Sequence, residues 1–224
     1  MTVVFCPQPP LLVPAVSGAP GDETALLRAA VSRAVRSMLA QEPAVVVVLG
    51  DGVAGARIGP GDAGDLRGYG VDLEVPFAGR VSPGGRRMPL AHTLGAWLLD
   101  REEHTGTRIG VGPDDLAAAL SGLSGGVGVL AMGDGSARRG EKAPGHLDPA
   151  AGPFDAAVAA ALAAGDTAAL AALDPAEGAR LLAAGVPVWR AVGSALAGRP
   201  VTAHVSYDDA PFGVGYLVAE WRAM

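Results

Sequence analysis

The order of apolar and polar positions divides most of the chain into short elements. Thr2 to Cys6 and Ala44 to Gly50 ("AVVVVLG") are apolar without alternation, the pattern of strands covered on both faces and usually parallel. Between them Leu27, Val31, Ala34, Val35 and Met38 recur at helical spacing. They predict a helix opened by Asp22, with Arg28, Arg33 and Arg36 largely outside its apolar stripe. "PQPPLLVP" is expected to be extended, because each proline disfavours helix at the residue before it. Residues 51–87 are rich in glycine and charge and predict a long loop with a short strand at Val71 to Phe77. "PLAHTLGAWLLD" follows as a helix with proline at its start, "TRIGVG" as a strand, "PDDLAAAL" as a short helix and Gly126 to Gly133 as another buried strand.

From Phe154 to Gly198 the chain is rich in alanine and reads as helical. Asp174-Pro175-Ala176-Glu177 supplies an N-cap, proline at the first helical position and an acid at the third, and Gly185 is expected to close that helix. "VTAHVSYDD" and "VGYLVAEW" alternate and predict an antiparallel hairpin at the edge of a sheet. The order of elements predicts an α/β fold, a single three-layer α/β/α domain over residues 1–224 with a mostly parallel or mixed central sheet.

Composition narrows the class. Half of the 224 residues are hydrophobic but only 4% are aromatic, so Ala, Val and Leu must build the core. A net charge of −6 argues against nucleic acid as a partner, since a phosphate backbone is bound by a basic face. Cys6 is the single cysteine, which excludes an internal disulfide and a cysteine-based zinc cluster within one chain. "MTVVFCPQPP" has no basic region and its apolar run is broken by prolines. Neither a signal peptide nor a membrane partner is expected, and the expected location is the cytoplasm. The partner predicted is a small molecule, with a homo-oligomer left open.

In an open α/β sheet ligands gather at the carboxyl ends of the strands. That rule singles out "PQPP", Asp51, the run Asp134 to Arg139, and Asp208 with Asp209. A Walker loop fails, because Gly135 and Gly140 have the spacing but Glu141 stands where lysine is required. A dinucleotide fingerprint fails because Arg138 replaces its third glycine. Ser136, with His204 and Asp208 downstream, is loosely triad-like, but Arg138 also replaces the glycine of a nucleophile elbow. His92, His104, His146 and His204 are scattered with no metal-binding spacing. Asp51, Asp134 and Asp208 have the chemistry for a hard cation, and the planar forks of Arg138 and Arg139 suit a carboxylate or phosphate if they face inward.

Four segments carry a resemblance: "CPQPPLLVP", "VVVVLG", "LAMGDGSARRGEKAPGHLDPAAGPFDAAVAAALAAGD" and "YDDAPFGVGYLVA". Together they resemble the catalytic-subunit (LigB-type) domain of class III extradiol ring-cleavage dioxygenases, and more specifically its actinobacterial branch. Residues 51–87 match least. The resemblance implies a three-layer α/β fold and, in the true dioxygenases, a non-haem Fe(II) held by two histidines and a glutamate, with positions open for a catechol and dioxygen. In this chain the place of the first histidine holds Gln8, the second falls at Asp51-Gly52, and the glutamate falls at Gly185 before Trp189. The family's acid/base histidine closes a turn that here reads Asp134-Gly135-Ser136-Ala137. An amide oxygen is a poor donor to Fe(II) and alanine cannot move a proton, so the fold carries over without the reaction.

Three readings follow. The first is a LigB-like protein that has lost its iron site, uses no cofactor and binds a small anionic or aromatic ligand in the old cleft. Gln8, Asp51, Asp134, Arg138, Arg139 and Asp208 would line that cleft. The second is a metal-dependent oxidoreductase in which Fe(II) or another divalent metal is held by Asp51, Asp208 and His146 or His204. The third is a non-catalytic partner subunit. If catalysis remains, Asp134, Ser136 and His146 are the candidate residues.

Overall fold

In a computed structural model, which describes residues 1–18, 21–52, 55 and 57–224, the two continuous apolar runs become neighbouring members of one sheet. The strands and helices in chain order are β1 (Thr2–Cys6), α1 (Pro14–Ser17), α2 (Asp22–Leu39), β2 (Val45–Leu49), β3 (Ala63–Asp65), β4 (Glu74–Pro76) and α3 (Leu90–Arg101). There follow β5 (Arg108–Val111), α4 (Leu116–Ser121), β6 (Val127–Met132), α5 (Ala151–Ala164), α6 (Thr167–Ala171), α7 (Pro175–Arg180), α8 (Val186–Ala195), β7 (Val201–Asp209) and β8 (Tyr216–Ala223). The central sheet has six strands in the order β5-β2-β6-β1-β8-β7. The first four are parallel, and β8 runs antiparallel to both β1 and β7, so the sheet is mixed.

The unbroken apolar runs are explained by the two layers of helix. Val4, Cys6, Val46, Val48, Leu130 and Met132 face α2 and α3, whose Leu27, Val31, Val35, Met38, Leu94 and Leu98 complete one core. The alternate residues Val3, Phe5, Val47, Leu49 and Val129 face Leu116 of α4, Val158 and Leu162 of α5, Leu170 of α6 and Trp189 of α8. Every residue of the expected α2 stripe is buried. The architecture is therefore a three-layer α/β/α sandwich.

The connections create the crevices. β1 and β2 lead into α2 and α3 on one face, whereas β5 and β6 lead into α4 and α5 on the other. Because these strands alternate in the order β5-β2-β6-β1, each adjacent pair sends its following chain to opposite faces. Such switch points open clefts at the carboxyl ends of strands.

Local expectations change at four places. "PQPPLLVP" is not simply extended: it holds a 3-10 turn at Pro10–Leu12 and then α1. Pro10 and Pro14 each occupy the first helical turn, where the missing N–H costs nothing. The strand expected at Val71 to Phe77 is shorter, Glu74–Pro76, and pairs with Ala63–Asp65. Ile58, Leu66, Val75 and Phe77 are buried, so residues 57–87 fold onto the α3 side; residues 53–54 and 56 of the expected loop lie outside the described residues. The final strand begins at Tyr216, not Val214, and runs on to Ala223. Gly185 does not close α7, which ends at Arg180, but stands at the N-cap of α8 with φ −76°. Close packing, not left-handed backbone, requires glycine there. Asp174 caps α7 as expected, its Oδ1 accepting the N–H of Ala176 at 2.8 Å.

Candidate functional site

Two of the sequence-selected residues meet at the crevice between β1 and β6. The backbone N–H of Gln8 donates to Oδ1 of Asp134 at 2.7 Å. Both follow directly on parallel strands, so the register of β1 on β6 (Cys6 beside Met132) sets this approach. Asp134 keeps some residue surface, but burial of its carboxyl outweighs the Gln8 N–H and lifts its pKa to about 7. Oε1 of Gln8 is buried with no hydrogen-bond partner among the described residues. Tyr216, on the other side of β1, is buried, and its phenol is pushed up by burial first, then by the charges of Asp134 and Tyr207. Sequence reading missed Tyr216, which lies at the strand start inside the quoted segment "YDDAPFGVGYLVA".

The raised Asp134 value has a sign that can be tested. Its folded pKa lies above the unfolded one, so the carboxyl adds stability in full below about pH 4, and that contribution declines until it is gone above about pH 7. The amide of an Asp134→Asn variant would hold the same place without titrating. The melting temperature of the wild type is therefore expected to fall relative to that of Asp134→Asn between pH 4.5 and 7.5. A difference that stays constant across this range would contradict the burial argument.

The run after Asp134 is tied down by a residue the sequence reading passed over. Asp155 on α5 is 1% exposed; its Oδ1 accepts the N–H of Ser136 at 2.9 Å and its Oδ2 accepts from Arg139 at 2.9 Å. Its burial pushes the carboxyl up against the lowering effects of Ser136 and Arg139, and the charge of Asp208 adds to the rise. The signal was present: Ala151, Asp155, Val158 and Leu162 form one buried stripe of α5, with an acid in it. Arg139 is thereby engaged by protein and is not a free clamp. Arg138 is half-buried, its Nε without a partner among the described residues, and its charge lowers the pKa of Asp148 only after the Ala150 N–H and Arg180.

Ser136 is fully buried; its Oγ donates to the carbonyl of Leu181 at 2.7 Å and accepts the N–H of Arg138 at 3.1 Å. Its hydroxyl holds the loop and presents no nucleophile to a cleft. His146 is exposed with φ 57°, its Nδ1 2.9 Å from the carbonyl of Glu141. Asp208 is exposed on the edge strand β7, four strands away from β2 and Asp51. At the usual strand spacing this is about 19 Å, too far for Asp51 and Asp208 to share a cation. Among the described residues, no group of three His, Cys, Asp or Glu is placed to hold a metal ion.

Asp51 belongs to a second crevice, between β2 and β5. It is exposed and accepts the N–H of Gly52 at 2.7 Å. With Pro113, Asp114 and Ala117 it forms one wall of a groove of about 830 Å³, whose opposite wall is made by α7, α8 and their connection. Leu182, Val186, Pro187 and Ala191 supply much of that wall. Behind Asp51, His92 is fully buried, and Nε2 lies 3.0 Å from the Val111 carbonyl, which assigns the ring proton to Nε2. Nδ1 has no partner among the described residues, and burial lowers the His92 pKa to about 4, so the ring is neutral.

The two crevices are joined through Gly185. Its N–H donates to the Asp134 carbonyl at 2.7 Å, and its neighbours Ala184 and Val186 line the groove. A Cβ on Gly133 would overlap the Cα of Gly185, so α8 starts in direct contact with the end of β6.

No family model and no curated protein matches the chain. A solved structure of an uncharacterised protein from Escherichia coli K12 is similar, with a TM-score of 0.50 at 15% identity, covering 98% of this chain and 99% of that one. At that identity the likeness shows the α/β fold alone. Among the described residues, no helix is long and apolar enough to cross a membrane.

Proposed function

We propose that this chain is a LigB-like protein that binds a small aromatic molecule at the carboxyl ends of its strands and has given up the iron chemistry of the extradiol dioxygenases. The observation that carries the reading is the groove of about 830 Å³, within the size of small-molecule sites, opening between β2 and β5 beside Asp51 and the residues flanking Gly185. Two of the places where the resemblance puts metal ligands, Asp51 and Gly185, thus lie on or next to it. The residues at those places do not fit Fe(II). Gln8 offers at most an amide oxygen, Gly185 has no side chain, and Ala137 cannot act as acid or base. Asp51 is the one anionic donor in that set.

The clamp of Arg138 and Arg139 is not part of this reading, since Arg139 is held by Asp155 and neither arginine lines the groove. The ligand set Asp51, Asp208 and a histidine receives no support either, because β7 and β2 are four strands apart.

Protein purified without chelator is expected to carry no stoichiometric iron. Phenol or catechol is expected to shift its amide resonances around Ala117, Ala184 and Ala191, and Ala117→Trp, which fills the groove from the exposed face of α4, is expected to abolish the shifts. Near-stoichiometric iron, or shifts unaffected by Ala117→Trp, would overturn the proposal.

A further inference from the structure

The charged groups of the groove go further than its size. Among the described residues three charged side chains line it: Asp51, Asp114 and Arg190. Among the described residues none of the three forms an ion pair, the salt bridges there using other partners. Arg190 lines the groove and donates from Nη1 to the carbonyl of Leu173, in the link between α6 and α7. Asp114 accepts no hydrogen bond from a described residue, and Asp51 accepts one from its neighbour Gly52. The lining therefore holds two carboxylates against one guanidinium, a net charge of −1 (two negative, one positive). The remaining lining is almost wholly apolar or small: Ala, Pro, Val, Leu and Gly, with Ser194.

From this arrangement we infer that the groove selects an amphipathic organic cation, an aromatic or aliphatic body carrying a protonated amine that lies against Asp51 and Asp114. The inference rests on the groove being the ligand site and assigns the charge of its ligand. The body of such a ligand removes apolar surface of Pro113, Ala117, Leu182 and Pro187 from water. Its ammonium meets two carboxylates that outnumber the single guanidinium of the lining. An anion of the same shape meets those carboxylates with the wrong sign. This reverses the expectation drawn from Arg138 and Arg139 in the sequence, because those arginines are outside the groove. Both carboxylates are exposed, so the preference is modest and sensitive to salt.

The test uses three probes with one phenyl body and different charge: 2-phenylethylamine, 2-phenylethanol and 3-phenylpropanoate. Dissociation constants are measured by NMR titration of the full chain at low and at high salt. The amine is expected to bind tightest, and Asp51→Asn with Asp114→Asn is expected to weaken it by up to about fivefold per carboxylate while leaving the alcohol unchanged. High salt is expected to shrink the difference between amine and alcohol. Equal binding of all three, or tightest binding of the propanoate, overturns the charge assignment and leaves the groove standing as an aromatic site. Binding of none of the three overturns both.

Discussion

Asp155→Leu is expected to lower the unfolding free energy by about 3 kcal/mol, the low end for breaking a buried ion pair, because Arg139 is 28% exposed and regains some water. The loss has two sources. The Arg139 guanidinium keeps its charge without a partner, and the Ser136 N–H, inside the buried loop, loses its acceptor. The ion pair itself is not a net source of stability. Burial raises the Asp155 pKa, so ionising this carboxyl is harder in the folded chain than in the unfolded one. The stability it adds is complete below its unfolded pKa and is lost as the pH rises through the raised folded value. Replacing both partners, as Asp155→Leu with Arg139→Met, is therefore expected to cost less than Asp155→Leu alone. Urea unfolding of the single and double variants measures this directly. A double variant less stable than the single one would show that the pair is held by attraction and not merely by the cost of orphaning one member.

The same carboxylate organises more than its partner. A Cβ on Gly135 would lie 2.8 Å from Asp155 Oδ1, and one on Gly215 would overlap Oδ2. Asp155 thus pins the loop after β6, which is bonded in turn to the entry to β8 through Gly135 N–H to the Gly215 carbonyl and Gly215 N–H to the Ser136 carbonyl. The loss on mutation is expected to reach the Asp134 crevice as well as global stability.

Gly185→Ala is expected to cost about 1–3 kcal/mol, the range for forcing extra atoms into a filled core. A Cβ there would lie 2.5 Å from Cε2 of Trp189, whose ring is buried against the sheet. The indole has no flexible end to move, and α8 cannot retreat without breaking the Gly185 N–H bond to the Asp134 carbonyl. Gly185→Glu, which introduces the ligand type that the proposed resemblance would put there, is expected to destabilise at least as much and to bind no Fe(II). Thermal unfolding with and without Fe(II) under argon distinguishes the outcomes. A stable Gly185→Glu protein that gains stability with Fe(II) would show that the residues around this position can hold the metal and would count against the proposed loss of an iron site.

Strands and helices were legible where the hydrophobic pattern alone decides them. "AVVVVLG" can only be a strand buried on both faces, and Leu27 to Met38 can only present one stripe, because periodicity is a local property of the chain. The rule that ligands gather at strand ends also brought Gln8 and Asp134 to notice, and they do meet. Local reading failed where a residue answers to a distant one. Gly185 reads as a helix stop, but a Cβ there would meet the Trp189 ring, and its N–H answers to the Asp134 carbonyl, over fifty positions away. Arg138 and Arg139 read as a clamp because both are basic and adjacent. The direction of Arg139 was settled by Asp155, on a helix that reads as plain alanine-rich.

The sequence by itself determined the α/β class, the buried parallel strands and the helix stripes. Only the tertiary structure decided which charges remain free. Ion pairing depends on separation in space, and the order β5-β2-β6-β1-β8-β7 puts Asp51 four strands from Asp208 while bringing Asp155 to Arg139. A charge is available to a ligand only if the fold has not already neutralised it, and no pattern along the chain records that.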